Sequence, residues 1–144
     1  MGYLGSLEAV KAAGEIIDRL LAPGGVAIVD PAMADNGKLY SGFDEDYVRA
    51  IGSLAGKADI ILPNVTEAAI LSGLPYQENI DINYVNQLLN GLNHPCAVLT
   101  GVDFDEDSTG IVLQEGTVQH EYRHKRIGNG CHGTGDIFVA VFTG

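Results

Sequence analysis

The stretch Gly24-Gly25-Val26-Ala27-Ile28-Val29-Asp30-Pro31 indicates the fold class of this chain. Its four apolar residues are typical of a short buried strand, and Asp30-Pro31 stops that strand with a carboxylate at its end. The glycines end a preceding helix, whose apolar residues recur at helical spacing after Ser6, a residue suited to an N-cap. The stretch therefore predicts a helix that leads into a buried strand.

Helical and strand patterns continue to alternate downstream. We predict strands near residues 60–62 and 97–99, and helices that begin at Asp44, Asn64 and Asp81. This alternation is typical of a parallel α/β sheet. The residues after Asp30-Pro31, through Asp35-Asn36-Gly37 to Gly42, are interpreted as a polar loop.

The pattern changes after residue 101. Residues 109–113 and 117–122 are strand-like and are joined by Gln114-Glu115-Gly116, which predicts a β-hairpin at the edge of the sheet. The chain has 144 residues, enough for one domain with its own core, and it contains no linker. We therefore predict a single domain over residues 1–144.

The composition limits the partners. Hydrophobic residues make up 46% of the chain and charged residues 19%, as in a globular protein. The formal net charge of -11 argues against nucleic acid or an anionic membrane as a partner. Cys96 and Cys131 do not form a Cys-x-x-Cys motif, and the sequence shows no signal peptide pattern. We therefore expect a cytoplasmic protein.

The run Gly128-Asn129-Gly130-Cys131-His132-Gly133-Thr134-Gly135-Asp136 is the most informative for function. It leads into six apolar residues; if these form a helix, the free amides at its N-terminus suit a phosphate. Asp136 is then a candidate base for a hydroxyl that attacks phosphorus. The run lacks the Lys-Ser/Thr ending of a P-loop. The alternative is a glycine-rich turn with Asp136 as an acid in the first helical turn.

Polar residues follow each predicted parallel strand, at Asp30-Pro31, Pro63-Asn64 and Thr100-Gly101. Each has a structural alternative: a turn, a capping box formed by Asn64 and Glu67, and a simple strand end. Ligands of open α/β sheets bind beyond the carboxyl ends of the strands. Together with Gly133–Asp136, these residues predict a site at one edge of the sheet.

Four segments resemble the pyridoxal kinases of the ribokinase superfamily. Residues 30–40, Asp-Pro-Ala-Met-Ala-Asp-Asn-Gly-Lys-Leu-Tyr, are similar to the family's Asp-Pro-Val-Met-Gly-Asp-Asn-Gly segment, and residues 63–67 resemble Thr-Pro-Asn-x-x-Glu. Residues 133–136 match the Gly-Thr-Gly-Asp signature, and residues 2–6 resemble Gly-Tyr-Leu-Gly near the vitamin pocket. Ala34 and Leu62 depart from the usual glycine and threonine. The resemblance implies a ribokinase-like three-layer α/β sandwich with a mostly parallel sheet and an edge β-hairpin.

The resemblance also implies a reaction: transfer of the ATP γ-phosphate to the 5′-hydroxymethyl group of pyridoxal, pyridoxine or pyridoxamine. It makes Asp136 the base, which also touches the substrate, and Asp30 and Glu67 the acids near Mg²⁺. The further implied residues are Gly133, Thr134 and Gly135 for the phosphoryl group, Asp35, Asn64 and Thr100 for the nucleotide, and Tyr3 for the pyridine ring. The superfamily favours a homodimer.

Three other interpretations were weighed. A hydroxymethylpyrimidine (phosphate) kinase tends to have Gly-Thr-Gly-Cys, so Asp136 and Asn36-Gly37-Lys38 favour a vitamin B6 kinase. A catalytically idle nucleotide-binding fragment would bind ATP without turnover. A metal site of His120, His124 and His132 would need these side chains to converge, and an exposed hairpin face is the simpler interpretation. Family members are longer at both ends, so we expect a fragment with little activity in residues 1–144 alone.

Overall fold

Seven strands and five helices are present in the computed structural model, which describes residues 1–127 and 134–144. The strands are β1 (Ile28–Val29), β2 (Ala34–Asp35), β3 (Lys38–Leu39), β4 (Ile60–Ile61), β5 (Cys96–Asp103), β6 (Ser108–Glu115) and β7 (Val118–Lys125). The helices are α1 (Leu7–Leu20), α2 (Glu45–Ala55), α3 (Val65–Ser72), α4 (Ile82–Leu92) and α5 (Thr134–Thr143). None of these described helices is long and apolar enough to cross a membrane.

The main sheet has the order β1-β4-β5-β6-β7. Strands β1, β4 and β5 are parallel, whereas β6 is antiparallel to both β5 and β7. Four of the five strands therefore point in one direction, and β6 with β7 forms the predicted hairpin at one edge. Strand β5 is longer than its predicted core of residues 97–99, because it pairs with β6 along its whole length.

Side-chain caps define the starts of the first four helices. In each case a side-chain oxygen accepts a hydrogen bond from the backbone N–H three residues later, which satisfies an amide without a partner inside the helix. These caps are Ser6, Asp44, Asn64 and Asp81. All four predicted helix starts are thereby confirmed.

The main core lies between helices α1 to α4 and one face of the sheet. Ile51, Leu88 and Leu99 are almost fully buried there. Consecutive strand residues point to opposite faces, so Leu62, which follows Ile61, points away from this core. Leu62 lines a cavity together with Phe138 and Val139 of α5. The sheet thus lies between the α1–α4 layer and α5, in the predicted three-layer arrangement.

The segment predicted as a polar loop contains a small hairpin, β2–β3, so that prediction was wrong in part. Its turn uses Asn36 and Gly37 with φ of 49° and 75°, the left-handed conformation typical of a two-residue hairpin. The Gly37 N–H donates to Thr66 Oγ1 at 3.0 Å, and a Cβ at Gly37 would lie 2.6 Å from the Tyr76 ring. This hairpin is thereby fixed against the start of α3.

Candidate functional site

The carboxyl ends of the three parallel strands meet at one edge of the sheet. Asp30 follows β1, Asn64 follows β4, and Thr100 lies within β5. Asn64 and Thr100 form a parallel bridge, and the Thr100 N–H donates to the Pro63 carbonyl at 2.9 Å. The predicted residues at these strand ends are therefore neighbours in space.

A cavity of about 140 Å³ opens at this edge. Its walls are formed by Asp30, Ala32, Tyr40, Leu62, Asn64, Glu67, Thr100, Gly135, Asp136, Phe138 and Val139. One water needs about 10–15 Å³ on this measure, so the cavity has room for a small group such as a phosphoryl group. Its described walls carry three carboxyl groups and no lysine or arginine.

Glu67 is the most buried of these acids, with 2% of its surface exposed. One carboxylate oxygen accepts hydrogen bonds from the N–H groups of Met33 at 3.0 Å and Ala34 at 3.4 Å. The other accepts from the Asn64 N–H at 2.9 Å and completes a capping box. Burial raises the pKa of Glu67 to about 8, against the effect of these hydrogen bonds. The residue serves the helix cap and the cavity wall together.

Asp30 is the second buried acid. Burial, followed by repulsion from Asp136, raises the pKa of Asp30 to about 6, while the positive N-terminus of the chain opposes this rise. Asp136 and Asp30 therefore share one electrostatic environment across the cavity. Asp136 stands in the first turn of α5, where helix amides have no intrahelical partner. A hydroxyl placed in the cavity could pass its proton to the Asp136 carboxylate.

Some predicted residues lie apart from the cavity. Asp35 stands at the β2–β3 turn, where its carboxylate accepts hydrogen bonds from the N–H and side-chain amide of Asn36, both at 2.9 Å. Tyr3 does not line the cavity and is 60% exposed. Thr134 is the first residue of α5, and Gly133 lies outside the described residues.

Of the three histidines considered as a metal site, the structure describes two. His120 and His124 lie on β7, all of whose residues are exposed, as expected for a hairpin face. His132 lies outside the described residues. Nowhere in residues 1–127 and 134–144 do three His, Cys, Asp or Glu side chains group closely enough to hold a metal by themselves.

Tyr40 is a site residue that the sequence interpretation missed. It lines the cavity, and burial followed by the charges of Glu67 and Asp35 raises the pKa of its hydroxyl. The signal was present, because Tyr40 closes the motif that begins at Asp30. Only the structure shows that the chain after β3 places Tyr40 at the cavity.

A mostly parallel sheet between helices, with an acid-lined cavity at the carboxyl ends of its strands and a helix N-terminus beside it, defines a ribokinase-like protein. The chain belongs to the phosphomethylpyrimidine kinase family, whose model matches residues 1–144. A pyridoxal kinase of Dictyostelium discoideum is 25% identical over 157 residues, covering 99% of this chain and 51% of its own. The predicted resemblance to pyridoxal kinases is thereby confirmed.

Two crystal structures show the same fold. One is a Bacteroides thetaiotaomicron protein assigned as a phosphomethylpyrimidine kinase and crystallised with pyridoxal (TM-score 0.88, 29% identity, 99% of this chain and 52% of that one). The other is the Lactobacillus plantarum pyridoxal kinase (TM-score 0.81, 35% identity, 97% of this chain and 50% of that one). The chain spans about half the length of the curated relatives that it matches from end to end.

Proposed function

We propose that this chain carries the catalytic edge of a kinase that transfers the γ-phosphate of ATP to the 5′-hydroxymethyl group of a vitamin B6 compound. One observation carries the proposal: Asp136, at a helix N-terminus, shares a cavity with Asp30 and Glu67 at the ends of parallel strands. A base opposite two acids suits a hydroxyl that attacks a metal-bound phosphate. The kinship with pyridoxal kinases supports the choice of acceptor.

Each group has a distinct role in this proposal. The Asp136 carboxylate accepts the proton of the substrate hydroxyl as that oxygen attacks the γ-phosphorus. The amides of Gly135 and the first turn of α5 face the negative charge of the transferring group. Asn64 and Thr100 border the same cavity on the side of β4 and β5, where we place the ATP phosphates. A neighbour from Leishmania donovani, 26% identical with a TM-score of 0.68, was crystallised with ADP and pyridoxamine.

The cavity also suits a magnesium ion. Its described walls carry carboxyl groups without a basic side chain, and burial raises the pKa of two of them, Asp30 and Glu67. Asp30 and Glu67 would hold Mg²⁺, which supplies positive charge to the β- and γ-phosphates when bound. No three His, Cys, Asp or Glu side chains of the described residues group closely enough to hold a metal by themselves, so water and phosphate oxygens would supply the other ligands. Mg²⁺ commonly binds proteins through only one or two carboxylates.

Two features favour a B6 compound over hydroxymethylpyrimidine. Asp136 and the Asn36-Gly37-Lys38 turn match the pyridoxal kinase pattern. The Bacteroides neighbour, although assigned to the pyrimidine activity, was crystallised with pyridoxal. We further propose a cytoplasmic location, and a homodimer stays a proposal.

Parallel binding and turnover measurements test this function. Pyridoxal, pyridoxine, pyridoxamine and hydroxymethylpyrimidine are each titrated calorimetrically into the purified chain with Mg²⁺ and a non-hydrolysable ATP analogue. Turnover with ATP is followed in a full-length version, because we expect little activity from residues 1–144 alone. Binding of a B6 compound in preference to hydroxymethylpyrimidine supports the proposal. Preference for hydroxymethylpyrimidine supports the rival activity. Nucleotide binding without any acceptor binding identifies an idle nucleotide-binding chain.

A further inference from the structure

An aromatic group of four rings, Tyr3, Tyr40, Phe43 and Tyr47, includes one ring of the cavity wall, that of Tyr40. Phe43 lies at its centre, with its ring stacked on that of Tyr47 at a centroid distance of 3.7 Å and an angle of 5°. The ring centroids of Tyr3 and Tyr40 lie 5.8 Å and 6.4 Å from that of Phe43. Among the rings of the described residues, Phe43 alone pairs with three others.

Tyr47, on which the Phe43 ring stacks, is itself held in place. It is 3% exposed and lies in the first turn of α2, where its N–H donates to the Asp44 carboxylate at 2.9 Å. Its hydroxyl donates to the backbone carbonyl of Leu4. The N-terminal segment is therefore held at two places: Tyr47 of α2 binds the Leu4 backbone, and Phe43, which precedes the helix, contacts the Tyr3 ring.

The segment that carries Tyr3 also reaches the acid cavity. The Asp30 N–H donates to the Met1 carbonyl at 2.8 Å, and a Cβ at Gly2 would lie 3.7 Å from the Asp30 carboxylate. On the other side of Phe43, Tyr40 lines the cavity itself. Phe43 thus contacts one tyrosine in the cavity wall and one on the segment that reaches Asp30.

The ring of Tyr3 is held by a neighbouring ring, although most of the residue is exposed. The ring contacts Phe43 and folds back towards Gly5, where a Cβ would lie 3.5 Å from it, yet 60% of the residue is exposed. A ring whose position is fixed before binding offers a stacking surface at little conformational cost. A flat heteroaromatic ring with a hydroxymethyl arm could stack there while the arm enters the cavity.

We propose that Phe43 is a positioning residue that fixes Tyr3 as the stacking surface for the heteroaromatic ring of the substrate, an inference that rests on the proposed function. Phe43 itself does not line the cavity, so it acts through the tyrosines on either side. Through Tyr3, Phe43 acts on the binding of flat acceptors and not on the binding of the nucleotide.

The test compares Phe43→Leu with Phe104→Leu. Phe104 is also a half-buried phenylalanine packed against the core, but its ring partner is the Arg123 guanidinium, 4.0 Å away, and it does not line the cavity. The affinities for pyridoxal and for Mg-ATP are measured calorimetrically in the wild-type chain and both variants. We expect Phe43→Leu to weaken pyridoxal binding roughly 3–10-fold, the usual effect of losing an aromatic pair. Mg-ATP affinity should stay unchanged, and Phe104→Leu should leave both affinities unchanged.

Conservative replacement separates positioning from stability. Phe43→Tyr keeps the ring and should restore pyridoxal affinity, even if its thermal midpoint stays below that of the wild type. A wild-type chain that binds no B6 compound overturns the proposed function. A wild-type chain that binds pyridoxal, with the same affinity in Phe43→Leu, overturns this inference alone. Equal weakening of pyridoxal and Mg-ATP binding in Phe43→Leu also overturns it, because that pattern indicates a general structural defect.

Discussion

Glu67 accepts a hydrogen bond from the backbone N–H of Met33, at 3.0 Å and across 34 residues of sequence. The same carboxylate accepts from Ala34 and Asn64, so it joins the segment after β1 to the start of α3. Two elements of the site are therefore held by one buried side chain.

Glu67→Ala should lower the free energy of unfolding by about 3 kcal/mol or more, because buried N–H groups lose their acceptor and each such loss costs about 1–3 kcal/mol. Urea denaturation measures the change. Glu45→Ala is the matched control, since the Glu45 side chain is 94% exposed and should change stability by only a few tenths of a kcal/mol. Equal effects of the two substitutions would contradict the central role of Glu67.

The raised pKa of Glu67 predicts a pH dependence of stability. Between the ordinary value of 4.5 and the folded value of about 8, the folded state binds more protons than the unfolded state. The contribution of Glu67 is therefore fully present below pH 4.5 and is lost as the pH rises to about 8. Glu67→Gln, which mimics the protonated carboxyl, should flatten this dependence. Metal-free urea titrations across that window check it, and parallel curves for the two proteins would refute it.

Magnesium should oppose the loss of stability at higher pH if Glu67 and Asp30 face the metal. The expected result is a higher Mg²⁺ midpoint for ATP binding in both Glu67→Gln and Asp30→Asn, since each removes a negative oxygen ligand. Calorimetric titration of nucleotide at graded Mg²⁺ concentrations measures the midpoint. An unchanged midpoint in Glu67→Gln would leave that side chain with its structural role alone.

In a full-length version of the protein, Asp136→Asn should reduce turnover roughly 10²–10⁴-fold, the usual contribution of a positioned base, while ATP affinity changes little. A second readout does not depend on turnover. Because the Asp136 charge helps to raise the pKa of Asp30, its removal should lower that pKa from about 6. Carboxyl carbon NMR titration of Asp30 measures this shift. Asp46→Asn, on the exposed surface of α2, is the control. Near-normal turnover in Asp136→Asn would show that Asp136 is not the catalytic base.

Gly110→Ala should destabilise the edge hairpin, because a Cβ there would lie 1.9 Å from the backbone carbonyl oxygen of Tyr122. We expect a loss of about 1–3 kcal/mol, as for other overpacked sites. Gly52→Ala in α2 is the matched control: its Cβ would meet Leu71 at an ordinary 3.6 Å, and alanine favours a helix. The thermal midpoint should therefore fall in Gly110→Ala and rise in Gly52→Ala.

The sequence predicted those parts of the fold that depend on local rules. The caps at Ser6, Asp44, Asn64 and Asp81 each involve a backbone N–H three residues away, so short patterns identify them. The β2–β3 hairpin was missed although Asn36-Gly37 is a typical turn. Each of its strands has only two residues, too few to produce an alternating pattern.

The site was predicted where it follows strand ends and was missed where it depends on distant contacts. Asp30, Asn64 and Thr100 could be brought together because the carboxyl ends of parallel strands share an edge. The contact between Glu67 and Met33 could not be predicted from the capping-box pattern, which describes only the bond to Asn64. The proposed role of Phe43 could not be predicted either, because its ring partner Tyr3 lies 40 residues earlier in the sequence.

The placement of Glu67 has a consequence for selection. A substitution of Glu67 should lower the stability of the fold and also weaken ligand binding in the cavity. Selection for either property alone should therefore keep the glutamate. Laboratory libraries sorted only for soluble expression and libraries sorted only for ligand binding should both retain glutamate at residue 67. At Asp136, which is exposed, only the second kind of library should retain the acid.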